Sequence, residues 1–180
     1  MPLIKIIPVY DHKFRGMCRL PYTGHKNGCP NFSKNSRCPP QAPYLEDYLD
    51  LSDDIWAIYN IYDLAAHVEK MKIKHPKWSE RQLYNCLYWQ PSARKSLREE
   101  INRFWATEFI LQESNNYSVF GVPLVYSKSS KAIKEIVIAD TPEAMGANIT
   151  ETMKAVGIVL EWPPKTVAYQ VVLAGYAKGK

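Results

Sequence analysis

From Asp11 to Tyr44 the chain has neither the 3.6-residue period of a helix nor the alternation of a strand, and it is rich in Gly, Pro, Asn, Ser, Lys and Cys. A stretch of that length inside a compact domain needs something to organise it. The rest of the sequence must therefore supply the regular structure, and residues 11–44 must be held by a device of their own. A bound metal is the expected device.

The flanking sequence supplies regular elements. Ile- and Val-rich residues 3–10, bounded by prolines, predict a first strand, and 54–62 predict a buried one. A helix is expected over 63–74, with Leu64, Val68 and Met71 on one face. Ser79 and Gln82 have the spacing of a capping box, with Trp78 and Leu83 placed for a hydrophobic staple, and the helix they open should run to about Trp89. Pro91 marks a break before a further helix over 92–112, whose apolar face carries Leu97, Ile101, Phe104 and Trp105.

Val119–Tyr126 and Ile133–Ala139 read as strands. Thr141-Pro142-Glu143 reads as the capped start of a helix ending at Gly157, its buried stripe formed by Met145, Ile149, Met153 and Val156. Ile158–Trp162 and Thr166–Tyr176 are further strand candidates, and Cys86, among aromatic residues, is expected in the core. With no repeat and no linker, residues 1–180 read as a single α+β domain: a small sheet packed with about four helices, carrying 11–44 as an irregular metal-binding loop. A hydrophobic fraction of 46% is enough for such a core and argues against wholesale disorder.

The loop also holds the charge. Between Asp11 and Cys38 the cations are Lys13, Arg15, Arg19, Lys26, Lys34 and Arg37 against the single acid Asp11, so this segment alone matches the net +5 of the whole chain. Such a field suits anionic ligands such as phosphates, nucleotides or RNA, and Arg15, Arg19, Lys26, Lys34 and Arg37 are the candidate anion-binding residues. A plain solvated basic surface is the alternative. The apolar N-terminus is short and interrupted by proline, unlike a signal peptide, and no apolar run is long enough for a membrane span. A cytoplasmic protein without membrane contact is expected. In a reducing compartment its four cysteines are better read as metal ligands or reactive thiols than as disulfides.

Cys18, Cys29 and Cys38 are separated by ten and by eight residues, and the latter two stand in Cys29-Pro30 and Cys38-Pro39-Pro40. Thiolates are soft donors that select iron–sulfur centres, zinc or Cu(I). Proline after a ligand stiffens the backbone, and Cys-Pro recurs in iron–sulfur ligand runs. Structural zinc sites favour pairs two to four residues apart, a spacing missing here, although His25 could complete a Cys3His set with Zn2+.

The run Cys18, then Gly28-Cys29-Pro30-Asn31-Phe32-Ser33-Lys34, then Cys38-Pro39-Pro40 resembles the N-terminal signature of a family of uncharacterised microbial proteins predicted to bind iron–sulfur clusters, a Cys followed by Cys-Pro-x-Tyr/Phe-x-Lys and Cys-Pro-Pro. Met153–Ile158 resembles the end of that family's closing helix. The gap after Cys18 is longer than the family pattern, and the second cysteine group expected before the closing helix is missing from about 118–142. The resemblance thus implies at most one cluster, bound by Cys18, Cys29 and Cys38.

A [4Fe-4S] cluster on three cysteines leaves one iron for His25, water, an external thiol or a substrate, and open coordination is what Lewis-acid chemistry uses. The expectation is cluster chemistry on a nucleotide or RNA, such as sulfur transfer, with a redox or sulfur-donor protein as a further partner. Two other readings stand beside it. One is a zinc-stapled module offering cations with Tyr22 or Phe32 to nucleic acid; the other is a catalytic thiol at Cys29 or Cys38. His12 and His67 read as structural, and His75 as exposed.

Overall fold

The computed structural model describes residues 2–21, 26–113 and 135–179. Four strands, β1 (Leu3–Ile6), β2 (Ile55–Asp63), β3 (Ile136–Ala139) and β4 (Val167–Tyr176), form one sheet in the order β1-β2-β4-β3 with every pairing antiparallel. The helices are α1 (Leu45–Tyr48), α2 (Leu64–Lys74), α3 (Glu80–Leu83), α4 (Cys86–Glu113) and α5 (Ile149–Ala155), joined by 3₁₀ segments at His12–Arg19 and Pro142–Met145. This is the α+β domain the sequence leads one to expect. No helix among the described residues is long and apolar enough to cross a membrane.

The period of two along β2 and β4 divides the molecule into layers. Ile55, Ala57 and Tyr59 of β2 and Val171 and Leu173 of β4 face one side, where they meet Leu45, Leu49, Met145, Ile149 and Met153. Ile58 of β2 and Val172 and Ala174 of β4 face the other, against Leu97 and Phe104 of α4. Leu64, Val68, Leu83, Trp89 and Ala93 continue that second layer around Ala168. Asn60, buried in β2, ties the layers together: its amide donates to the carbonyl of Ala93 (2.7 Å) and accepts from the backbone N–H of Gln170 (3.1 Å). The sheet thus stands between α4 and the side of the molecule that carries the cysteine loop.

Local chemistry sets the boundaries, and several differ from expectation. The first strand ends at Ile6, and β3 covers Ile136–Ala139, residues 133 and 134 of the expected strand lying outside the described residues. The helix opened at Ser79 lasts only through Leu83, with Gln82 Oε1 accepting from both the backbone N–H and the hydroxyl of Ser79. Asn85 then starts a second helix, its side chain accepting from the N–H of Leu87 (3.0 Å). That helix, α4, passes straight through Pro91. The proline removes one donor near the start of the helix, opposite the carbonyl of Leu87, a residue open to solvent where water can replace the lost bond.

The helix expected from Thr141 to Gly157 is divided. Gly146 takes a left-handed conformation (φ 101°), and Asn148 caps α5 by accepting from the N–H of Glu151 (3.1 Å). Its far end is a Schellman turn, with Ile158 N–H bonded to Met153 and Gly157 N–H to Lys154. Residues 158–162 form no strand, and Val159 and Trp162 are exposed. Cys86 is exposed at the first turn of α4, correcting its expected place in the core, because the apolar face of that helix begins at Trp89. The strand expected over 119–126 lies outside the described residues.

Just before β4, the carboxylate of Glu161 accepts from the hydroxyl and N–H of Thr166 and from the N–H of Val167. These bonds, led by the Thr166 hydroxyl, hold the Glu161 pKa down at about 2 against an ordinary 4.5. A carboxylate whose folded pKa is depressed stabilises the fold above its unfolded value and loses that contribution as pH falls toward the folded one. Glu161→Gln should therefore flatten the loss of stability between about pH 4.5 and pH 2. Urea midpoints taken at both ends of that window check this: the wild type should lose more than the variant.

Candidate metal centre

The cysteine loop is organised by its own backbone. Asp11 caps the His12–Arg19 segment by accepting from the N–H of Lys13 (2.8 Å), and this segment presents Cys18. The N–H of Cys29 donates to the carbonyl of Cys18 (2.7 Å), fastening the second cysteine directly to the first. Gly28 makes that approach possible. Its φ is +79°, and a Cβ there would fall 2.7 Å from the Cys18 carbonyl oxygen and from the Arg19 carbonyl carbon.

The third cysteine sits on a further set of turns. Ser33 N–H donates to the carbonyl of Pro39 (2.8 Å), Cys38 N–H to Asn35 (2.9 Å), and Ala42 N–H to Cys38 (3.0 Å). Arg15 locks these turns to the domain. Buried, it donates to the carbonyls of Pro40 (3.0 Å) and Ala42 (2.7 Å), and its guanidinium stacks 4.1 Å from the centroid of the Tyr44 ring. Replacing it by Met should cost about 1.5–3 kcal/mol, the range for hydrogen bonds from a charged donor. Chemical denaturation reads that loss, and hydrogen exchange should show the amides of Cys29 and Cys38 opening faster in the variant.

All three thiols are free and half-buried. Burial pushes the Cys18 thiol up, and negative charge on Cys29, Cys38 and Glu143 pushes it further, while the Arg15 guanidinium opposes them. The Cys18 thiol thus feels the charges of the other two cysteines although the three come from different turns. Among the described residues, no three His, Cys, Asp or Glu side chains converge on a site for a single metal ion. Zinc, with sulfur at about 2.3 Å, would need its donors to converge on one point. A cluster asks less convergence, since each thiolate takes a different iron. The soft, all-thiol donor set suits either group.

The cations are less uniform than their sequence implies. Arg15 is turned inward onto backbone carbonyls, which corrects its place among residues offered to an anion. Arg37 is bound to Asp140 by an ion pair of 2.6 Å. Arg19, Lys26 and Lys34 remain exposed around the loop, Arg19 lying 6.0 Å from the ring centroid of Phe32. His25 and Tyr22 lie outside the described residues. His12 pairs with Glu46 (2.6 Å) and His67 with the hydroxyl of Tyr62 (2.9 Å), both structural contacts; His75 is half-buried and stacked on Trp78.

No family model, no curated protein and no solved structure matches the chain.

One residue beside the cysteines went unread at the level of sequence. Glu143, in Thr141-Pro142-Glu143, looks like a first-turn acid favouring a helix dipole. In the fold, the Pro142–Met145 turn packs against the His12–Arg19 segment, and the charge of Glu143 adds to the upward push on the Cys18 thiol. Nothing in the sequence alone signals this, because the two residues are joined only by tertiary structure.

Proposed function

We propose that this chain binds one [4Fe-4S] cluster through Cys18, Cys29 and Cys38 and uses it on an anionic nucleotide or RNA, in sulfur transfer or related chemistry. The observation that carries the reading is three free, half-buried cysteines on one hydrogen-bonded run of turns, with the N–H of Cys29 bonded to the carbonyl of Cys18 and the backbone around Cys38 tied back to Ser33. When bound, a cluster with an iron lacking a fourth protein thiolate supplies Lewis acidity.

The chain's own residues do the rest. Gly28 and the Cys29–Cys18 hydrogen bond fix the spacing of two donors, and Arg15 holds the backbone beside the third. Exposed Arg19, Lys26 and Lys34 draw an anion toward the loop. Phe32, half-buried beside Arg19, offers a face on which a base can stack. A cytoplasmic location and a redox or sulfur-donor partner belong to the same reading.

Reconstitution tests it. The metal-free chain is incubated without oxygen with ferrous iron, sulfide and a thiol, and separately with zinc. Development of broad visible absorption with stoichiometric iron and sulfide is the expected result. Uptake of zinc alone, with no coloured product from iron and sulfide, would leave a colourless structural staple and would sink the proposal.

A further inference from the structure

The corner where α2, α3 and the start of α4 meet lies in the layer of α4, across the sheet from the cysteine loop. α2 stops at His75, whose N–H still reaches the carbonyl of Met71 (2.8 Å), and Pro76 has no N–H with which to continue the helix. The chain turns back at once, Trp78 N–H donating to the carbonyl of His75 (3.0 Å), and the indole packs partly on the layer of Leu64, Val68 and Leu83. The start of α4, set by Asn85, then brings Tyr88 to the same indole.

Three rings form a continuous series. His75 lies flat on Trp78, with centroids 4.1 Å and planes 7° apart, and Trp78 lies against Tyr88 at 4.6 Å and 34°. Leu83 and Trp89 anchor the corner in the core, Trp89 donating from Nε1 to the carbonyl of Tyr84 (3.3 Å). Tyr88 does not join them: it is 44% exposed, and its neighbour Leu87 is 74% exposed.

Cations surround this series in the chain. From Lys70 to Arg81, five of them (Lys70, Lys72, Lys74, Lys77 and Arg81) stand against the single acid Glu80. Lys72 is paired with Glu69 (2.6 Å). Lys70, Lys74, Lys77 and Arg81 are exposed, and among the described residues none of the four is in an ion pair. The dipole of α2 accounts for Lys72 and Lys74 in its last turn, but not for Lys77 in the turn beyond it.

We propose that this corner docks a single-stranded polynucleotide, an unpaired base extending the ring series at Tyr88 while phosphates meet Lys70, Lys74, Lys77 and Arg81. An unpaired base has a free face to lay on a ring, and its phosphates supply the charge that these cations lack. A duplex keeps its bases stacked on one another and would engage the cations alone. The inference goes beyond the cluster reading and does not rest on it, since the residues that carry it lie across the sheet from the cysteines.

The full chain is titrated into a fluorescein-labelled oligouridylate, and anisotropy is followed at salt concentrations between about 50 and 200 mM. Tyr88→Ala should weaken binding at least about fivefold, the low end for a lost stacking contact, while Tyr88→Phe binds like wild type. Lys74→Gln combined with Lys77→Gln should flatten the log–log dependence on salt by about 1.4, two phosphate contacts at about 0.7 each. Unlabelled duplex RNA and polyglutamate, at matched charge, should compete poorly. Equal binding by wild type and Tyr88→Ala would overturn the proposal, as would no binding at the lower salt. Polyglutamate competing as well as unlabelled oligouridylate would overturn it in favour of an acidic protein partner, and duplex doing so would reduce the corner to a bare cationic field. Binding lost on Arg19→Gln with Lys34→Gln but kept in Tyr88→Ala would overturn it and leave the cysteine loop as the anion site. Should Tyr88→Ala fail to fold, an unchanged salt slope in the lysine pair would overturn the proposal by itself.

Discussion

Alanine at Cys18, Cys29 or Cys38 is expected to weaken iron binding by more than about 100-fold, whereas Cys86→Ala should leave it unchanged. The asymmetry follows from position. The three loop cysteines are half-buried on turns fastened to one another and to Arg15, while Cys86 is exposed at the start of α4, on the other side of the sheet. Losing a ligand costs more than disturbing a supporting group, which already costs about 10–100-fold in metal affinity. The check is iron and sulfide content per folded chain after reconstitution without oxygen. Because the loop's hydrogen bonds run through backbone groups and Arg15, the alanine variants should keep the fold and lose the metal. Equal loading of all four variants would mean that the loop cysteines are not the ligands.

Phe104→Ala should do the opposite, lowering stability by about 3–5 kcal/mol while leaving the ligand set in place. Phe104 is 1% exposed and fills the space between α4 and the sheet, among Ile58, Leu97, Ile136, Val172 and Ala174. Truncation would leave a cavity in a layer lined by three strands and a helix that cannot collapse onto it. The urea midpoint should fall with little change in slope, the mark of lost stability without a change in the surface exposed. Iron bound per folded chain should stay the same, because the sheet separates this layer from the cysteine loop. The two variants together separate the stability of the domain from the chemistry of the loop.

Strands and helices with a strong period were legible without the fold. Ile55–Asp63, Leu64–Lys74 and Val167–Tyr176 lie within a residue of where alternation and helical spacing place them. Errors came where a polar side chain or a glycine decided a boundary. Asn85 captured an N–H that would have continued the preceding helix, and Gly146 with Asn148 split a stretch whose apolar stripe reads as continuous. Proline misled in the other direction, since Pro91 fell where an exposed carbonyl could lose its donor without breaking the helix.

The candidate site was legible as a list of cysteines and not as an arrangement. Thiol spacing and Cys-Pro dipeptides single out Cys18, Cys29 and Cys38, but charge counting alone treats Arg15 like Lys34. Only the fold shows that Arg15 spends its guanidinium on the carbonyls of Pro40 and Ala42, and that Arg37 is bound to an acid more than one hundred residues away. The same tertiary tie joins Arg37 to the Asp140–Thr141 corner, which is hydrogen-bonded to the loop through the Thr141 hydroxyl. A local motif search has no access to contacts of that range.

Metal and acid-labile sulfide analysis of the full chain, purified without oxygen and paired with a visible spectrum, tests the central claim most directly. Iron and sulfide in near-equal amounts, in a brown protein with broad visible absorption, is the predicted result. Colourless protein containing zinc without sulfide, or no metal at all, would contradict it.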